Sequence, residues 1–195
     1  MGMDIAGLNP TIISDQPVFP DNWKELSQKA KDCYNELDKE YYDENPGVYF
    51  RANIWSWRPI YYAILEANRS CDLGISPDTM DGMAYNSGHG LKEQEDCNKL
   101  ADALDEMIED MKNEGMTEYG FNLGLWNLRN GTMLSSEDID ILNDKYPEGS
   151  LITDMPVILA TGDKSVKVWP SHVTKLDHMQ EFTLFLRNCG GFEIY

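Results

Sequence analysis

The chain has 195 residues, of which 42% are hydrophobic, enough for one domain with a real core and too much for overall disorder. Lys+Arg 16 against Asp+Glu 34 gives a formal net charge of −18. Such a surface repels phosphate backbones and anionic bilayers, so direct nucleic-acid and membrane binding are excluded as expectations; basic proteins or cations are favoured partners.

Four cysteines, Cys33, Cys71, Cys97 and Cys189, are widely spaced and form no CxxC. They read as free, mostly buried thiols in a reducing, cytoplasmic setting. The opening Met1-Gly2-Met3-Asp4 has neither the basic nor the apolar part of a secretory leader, and Ala6 does not suit myristoylation at Gly2. No apolar run approaches the length of a membrane span.

In chain order, Met3 to Leu8 reads as a starting strand closed by Asn9-Pro10. Residues 11–20 carry Pro17 and Pro20 and read as loop. Asp21 caps a helix in which Trp23, Leu26, Ala30, Cys33, Tyr34, Leu37 and Tyr41 recur at helical spacing, ended by Asn45-Pro46-Gly47. From Tyr49 to Trp57 the pattern is double: Tyr49, Arg51, Asn53, Trp55 and Trp57 alternate as in a strand, whereas Phe50, Ile54 and Trp57 fit a helical stripe. Pro59 disfavours helical geometry at Arg58 and suits the first position of a new helix, with Ile60, Ala63, Ile64 and Ala67 inward.

Residues 70–90 read as a long loop of the kind that is often functional. Leu91 to Lys112 is a helix with a clean apolar stripe and an acidic opposite face, stopped at Gly115. Residues 116–134 are rich in glycine and asparagine, and Ser135 or Ser136 starts a short helix. Val157–Ala160 and Val166–Trp169 flank Gly162-Asp163-Lys164 as a hairpin. Thr174 caps a last helix burying Met179, Phe182, Phe185 and Leu186, and Gly190-Gly191 ends it. Residues 192–195 alternate and add a strand beside residues 3–7. The expected fold is therefore α+β: one mainly helical domain of about five helices with a small, mostly antiparallel sheet. Residues 114–170 form a possible insertion or subdomain.

The candidate chemistry is sparse. His172 and His178 lie six apart across a helix start, a poor spacing for zinc, so no metal site is expected. His89, between two glycines, is the weak candidate for an acid–base group. Asn86, Gly88 and Gly90 could form a backbone nest for an anion at a helix entry, or a plain connector. The carboxylates of the 91–112 helix, Asp102, Glu106 and Glu109 among them, read either as a solvated face or as a mimic of a phosphate backbone offered to a basic protein. The stretch from Tyr49 to Arg58 concentrates the most chemistry. Arg51 and Arg58 offer planar forks for carboxylate or phosphate, Trp55 and Trp57 offer stacking faces, and Asn53 both donates and accepts. The same residue types suit a sealed aromatic core whose arginines pair with carboxylates.

Tyr49-Phe50-Arg51-x-Asn53-x-Trp55-x-Trp57-Arg58-Pro59 resembles the signature of a family of small bacteriophage and bacterial proteins with no established activity. The tail Glu181-Phe182-x-x-Phe185-Leu186-Arg187-x-x-Gly190-Gly191-Phe192 resembles that family's C-terminus. The opening Asp4-Ile5-x-Gly7-x-Asn9-Pro10 and the loop Asn86-x-Gly88-x-Gly90-Leu91 also fit. Members often carry a cysteine-rich, zinc-ribbon-like insertion; residues 114–170 contain no cysteine, so no zinc site carries over. Position 89 is variable in the family, which counts against His89 as a catalytic residue. The resemblance implies a phage-encoded protein acting in the cytoplasm of a bacterial host, and by analogy an inhibitor of a host system.

Together these readings favour a non-enzymatic binding protein without a cofactor. Its partner is a small anionic, nucleotide-like ligand held by Arg51, Asn53, Trp55, Trp57, Arg58, Asn86, Gly88 and Gly90. The alternative is a basic host protein engaged by Asp102, Glu106 and Glu109. A hydrolase using His89 is the third reading.

Overall fold

The computed structural model describes residues 2–120, 123–127, 132–133, 157–160 and 173–195, with side chains for 2–119 and 174–195. The described helices are α1 (Gln28–Glu44), α2 (Ile54–Ser70), α3 (Pro77–Met83), α4 (Gln94–Asn113) and α5 (Leu176–Asn188). The described strands are β1 (Gly2–Gly7), β2 (Tyr49–Asn53), β3 (Glu118–Gly120), β4 (Leu123–Asn127), β5 (Thr132–Met133), β6 (Val157–Ala160), β7 (Val173–Lys175) and β8 (Phe192–Ile194). The class is α+β and mainly helical, as the sequence patterns imply.

Three antiparallel sheets are present among these residues, ordered β2-β1-β8, β3-β7 and β5-β4-β6. The first organises the molecule. β1 lies at its centre, with Ile5 opposite Phe50 on one side and Ile194 on the other. The period-two alternation turns Met3, Ile5, Phe50, Ala52, Phe192 and Ile194 inward, where all are buried. The expected pairing of residues 192–195 with the first strand is present, and the backbones of Asp4 and Tyr195 exchange both hydrogen bonds at 2.9 and 2.7 Å.

Helices α2, α4 and α5 supply most of the rest of the core, joined by Met80 and Met83 of α3, Leu91 and Tyr119. α4 keeps the stripe read from the sequence: Cys97, Leu100, Ala101, Leu104 and Ile108 are buried, mainly against α5. Aromatic rings join the layers. Phe182 of α5 stacks on Phe185 at 6.1 Å, meets Trp57 of α2 edge-on at 5.7 Å, and lies 5.1 Å from Phe50 of β2. Gly190 and Gly191, at φ 64° and 91°, turn the chain from α5 into β8.

Five boundaries depart from the sequence reading, each for a local reason. α4 starts at Gln94 rather than at Leu91, whose carbonyl accepts from Phe192 N at 2.7 Å at the sheet edge. α2 starts at Ile54 rather than at Pro59, because Asn53 caps it; Pro59 falls in the second turn and is buried there. The 70–90 segment contains α3, whose N-cap Ser76 accepts from the Thr79 amide at 3.2 Å and whose first residue is Pro77. The helix expected from Asp21 is broken: a 3₁₀ turn covers Trp23–Glu25, and α1 begins after Ser27, whose Oγ accepts from Ala30 N at 3.3 Å. Thr174 belongs to β7, and Lys175 is the N-cap of α5.

α1 differs from the other long helices. Of its 17 residues only Tyr41 is buried. It packs extensively against no other helix or strand among the described residues. The arm of residues 11–19 runs back beside it. Asn45, fully buried at the end of α1, accepts from Ile13 N at 2.5 Å through Oδ1 and donates to Ser14 Oγ at 2.9 Å and Tyr41 O at 2.7 Å. At the other end, Phe19 lies 5.1 Å from Trp23 and edge-on to Tyr34 at 5.5 Å. The hairpin around Gly162-Asp163-Lys164 and the helix expected from Ser135 or Ser136 lie outside the described residues, although Val157–Ala160 is a strand.

Candidate functional site

The two periodicities of the Tyr49–Arg58 stretch turn out to belong to consecutive elements. β2 holds Tyr49–Asn53 with Phe50 and Ala52 inward, and α2 takes over at Ile54. The junction is made by Asn53, whose Oδ1 accepts from Trp55 N at 2.9 Å and Ser56 N at 3.0 Å. Two of the amides at this helix N-terminus are thereby satisfied from within the chain.

The candidate ligand residues then divide. Trp57 is 1% exposed, and its Nε1 donates to Met83 O at 3.0 Å, so it is a core residue. Trp55 is 59% exposed, with the Arg58 guanidinium 5.9 Å from its ring centroid. The Arg51 side chain is 68% exposed and reaches Asp4 only at 3.8 Å. Tyr49 donates its hydroxyl to Asp4, and burial, reinforced by that hydrogen bond and by the Asp4 charge, pushes its pKa up to about 12. Asp4, Tyr49 and Arg51 thus form a linked polar group on the outward face of the first sheet.

The glycine loop sits at the opposite edge of that sheet. Gly88 N donates to Ile194 O at 2.8 Å, Ile194 N to His89 O at 3.1 Å, and Phe192 N to Leu91 O at 2.7 Å. Residues 88–91 therefore extend the sheet beyond β8 by backbone pairing. A Cβ on Gly90 would come within 2.1 Å of Phe192 O, which explains why the position carries none. Asn86 donates from Nδ2 to Gly2 O at 3.2 Å. The Gly88 amide, a nest donor in the sequence reading, is engaged by β8.

His89 is exposed, with Nδ1 2.8 Å from Ser87 Oγ and its ring over Gly82. His178 stacks on Phe50 at 4.8 Å, with Nδ1 2.8 Å from Glu181 Oε2. His172 lies outside the described residues. Among the described residues no three of His, Cys, Asp and Glu gather as metal ligands, and no helix is long and apolar enough to cross a membrane.

The acidic face of α4 is also divided. Arg187 of α5 forks between Asp102 at 2.8 Å and Asp105 at 2.6 Å. Those partners hold its guanidinium more firmly protonated than usual, the Asp105 bond contributing most. Glu109 is exposed. Glu106 lines an open groove of about 350 Å³ between the end of α2 and the last turns of α4. Ala103, Met107 and Met111 supply its apolar part; Glu106, Asp110 and Glu114 supply its charge; Ser70 and Cys71 form the far wall. Met107 and Met111 continue the helical period of the buried α4 stripe. Their helical period carries no sign that α2 ends at Ser70, short of covering them.

No family model, curated protein or solved structure matches this chain.

Proposed function

We propose that this chain is an acidic, non-enzymatic binding protein that docks a basic protein, with the groove between α2 and α4 as its anchoring point. The groove carries the reading. An apolar floor of Ala103, Met107 and Met111 beside Glu106, Asp110 and Glu114 matches a lysine or arginine side chain, which has an aliphatic stem and a cationic head. Methionines suit such a contact because they adapt to differently shaped stems. The surrounding charge of −18 would speed encounter with a cationic partner, and salt would weaken it. The motif resemblance supports a setting inside a bacterial host, where the partner would be a host protein and the chain its inhibitor.

Titration calorimetry with arginine-rich peptides, against glutamate-rich controls, tests this. Reversal at Glu106 and Asp110 to Lys should weaken binding about tenfold or more, as expected for losing charge-assisted contacts. Glu109→Lys should weaken it less, acting only at range. Equal affinity for wild type and the Glu106/Asp110 variant would overturn the proposal. Asp102 is a poor test position, because its reversal also breaks the pairing with Arg187.

One observation favours a second reading. Arg51 stands exposed beside Tyr49 on an open sheet face, with Asn53, Trp55 and Arg58 at the adjoining helix start. A small anion of nucleotide type could stack and pair there, without Trp57. Calorimetry against a nucleotide panel decides it: heat that disappears in Arg58→Ala supports the site, and no heat with any member removes it.

A further inference from the structure

We infer that the occupant of the groove between α2 and α4 is an amphipathic basic helix, laid along the last turns of α4 with an arginine at every turn. The inference rests on the docking reading above and names the shape of the partner.

Two rows run side by side on this face of α4. Ala103, Met107 and Met111 form one at steps of four residues, and Glu106, Asp110 and Glu114 form the other at the same steps. Each step rises about 6 Å along the axis, so apolar and acidic groups alternate over about three turns.

Charge calls for a cationic occupant. Every charged side chain lining the groove is acidic. Among the described residues no side-chain hydrogen bond or ion pair engages these three carboxylates. The cations of α4 are spent elsewhere: Lys112 on Asp177 and Gln180 of α5, Lys99 on Glu95 and Asp96. Arg69 of α2 is exposed outside the lining. α2 ends at Ser70 and α4 at Asn113, so the negative ends of both helix dipoles lie at the groove.

Spacing selects a helix. Arginines at every fourth position of a docked helix repeat at the same 6 Å or so and meet the three carboxylates in turn. Apolar residues three positions before them meet Ala103 and the methionines. An extended chain repeats on one face at about 6.7 Å and slips by about 1.4 Å over two steps. Its backbone would also need partners, which a sheet edge supplies and a groove walled by helix side chains does not.

Calorimetry with synthetic peptides tests this, and its changes sit in the peptide, so the protein's folding is untouched. The parent peptide repeats leucine, two alanine or glutamine spacers and arginine, which places both rows on one helical face. It should bind and gain helical circular dichroism on mixing. A peptide of the same composition with its arginines spread around the helix should bind at least about tenfold more weakly, as should the parent with a central proline. Binding without the gain in helicity would overturn the helix. Equal affinity for all three peptides, still lost on reversal of Glu106 and Asp110 to Lys, would also overturn it, while leaving the docking of a basic partner standing. No heat with any of the three would remove both.

Discussion

Tyr49 shows how one side chain ties the sheet's outer face to pH. An unfolded tyrosine titrates near 10, whereas here burial and Asp4 move the phenol up to about 12. The folded state holds the proton more tightly, so this contribution to stability is complete below pH 10 and disappears as pH rises through 12. Tyr119, buried and donating to Glu66 at 3.2 Å, is shifted in the same direction, chiefly by burial. Melting temperature should therefore fall between pH 10 and 12, and Tyr49→Phe should flatten part of that slope. The residue types of this region were legible in the sequence, but their sorting was not. Trp55 and Trp57 have the same chemistry and nearly adjacent positions. Only the switch from strand to helix at Ile54 sends one to solvent and the other to the core.

Among elements, α4 was the most legible, because an apolar stripe of five or more residues opposite a continuous acidic face admits only a helix packed on one side. The start of α3 is marked by Ser76-Pro77, a helix-start pair, but the glycines and aspartates around it carry the composition of a loop. α1 was legible as a helix and illegible as an environment. Its stripe has the period of a core helix, and nothing in the period says whether a neighbour exists. Its position depends instead on Asn45, a buried amide with three partners. Asn45→Ala should cost about 1–3 kcal/mol, because it strips the Ile13 amide of its acceptor and removes the tie to Tyr41 O. Urea denaturation should show a lower midpoint at unchanged slope, and limited proteolysis should cut first within residues 11–20.

At the scale of the whole molecule, charge acts with opposite signs on folding and on binding. A net charge of −18 opposes compaction by self-repulsion. Added sodium chloride should raise the melting temperature at neutral pH and, over the same range, weaken the capture of arginine-rich peptides. Scanning calorimetry and titration calorimetry in matched buffers check the two halves together; parallel trends would count against an electrostatic origin for either.

The central position of β1 has one more consequence, in the order of synthesis. Among the described strands β1 is synthesised first, and one of its two neighbours, β8, is synthesised last. β2 can pair with it early, across α1, but the other edge of β1 stays open while the intervening chain is made. During that interval Met3 and Ile5 have no complete core to enter. Nascent copies on one transcript would then present unpaired edges to each other, so yield on overexpression should depend on growth temperature and chaperone supply more steeply than the stability of the finished fold would require.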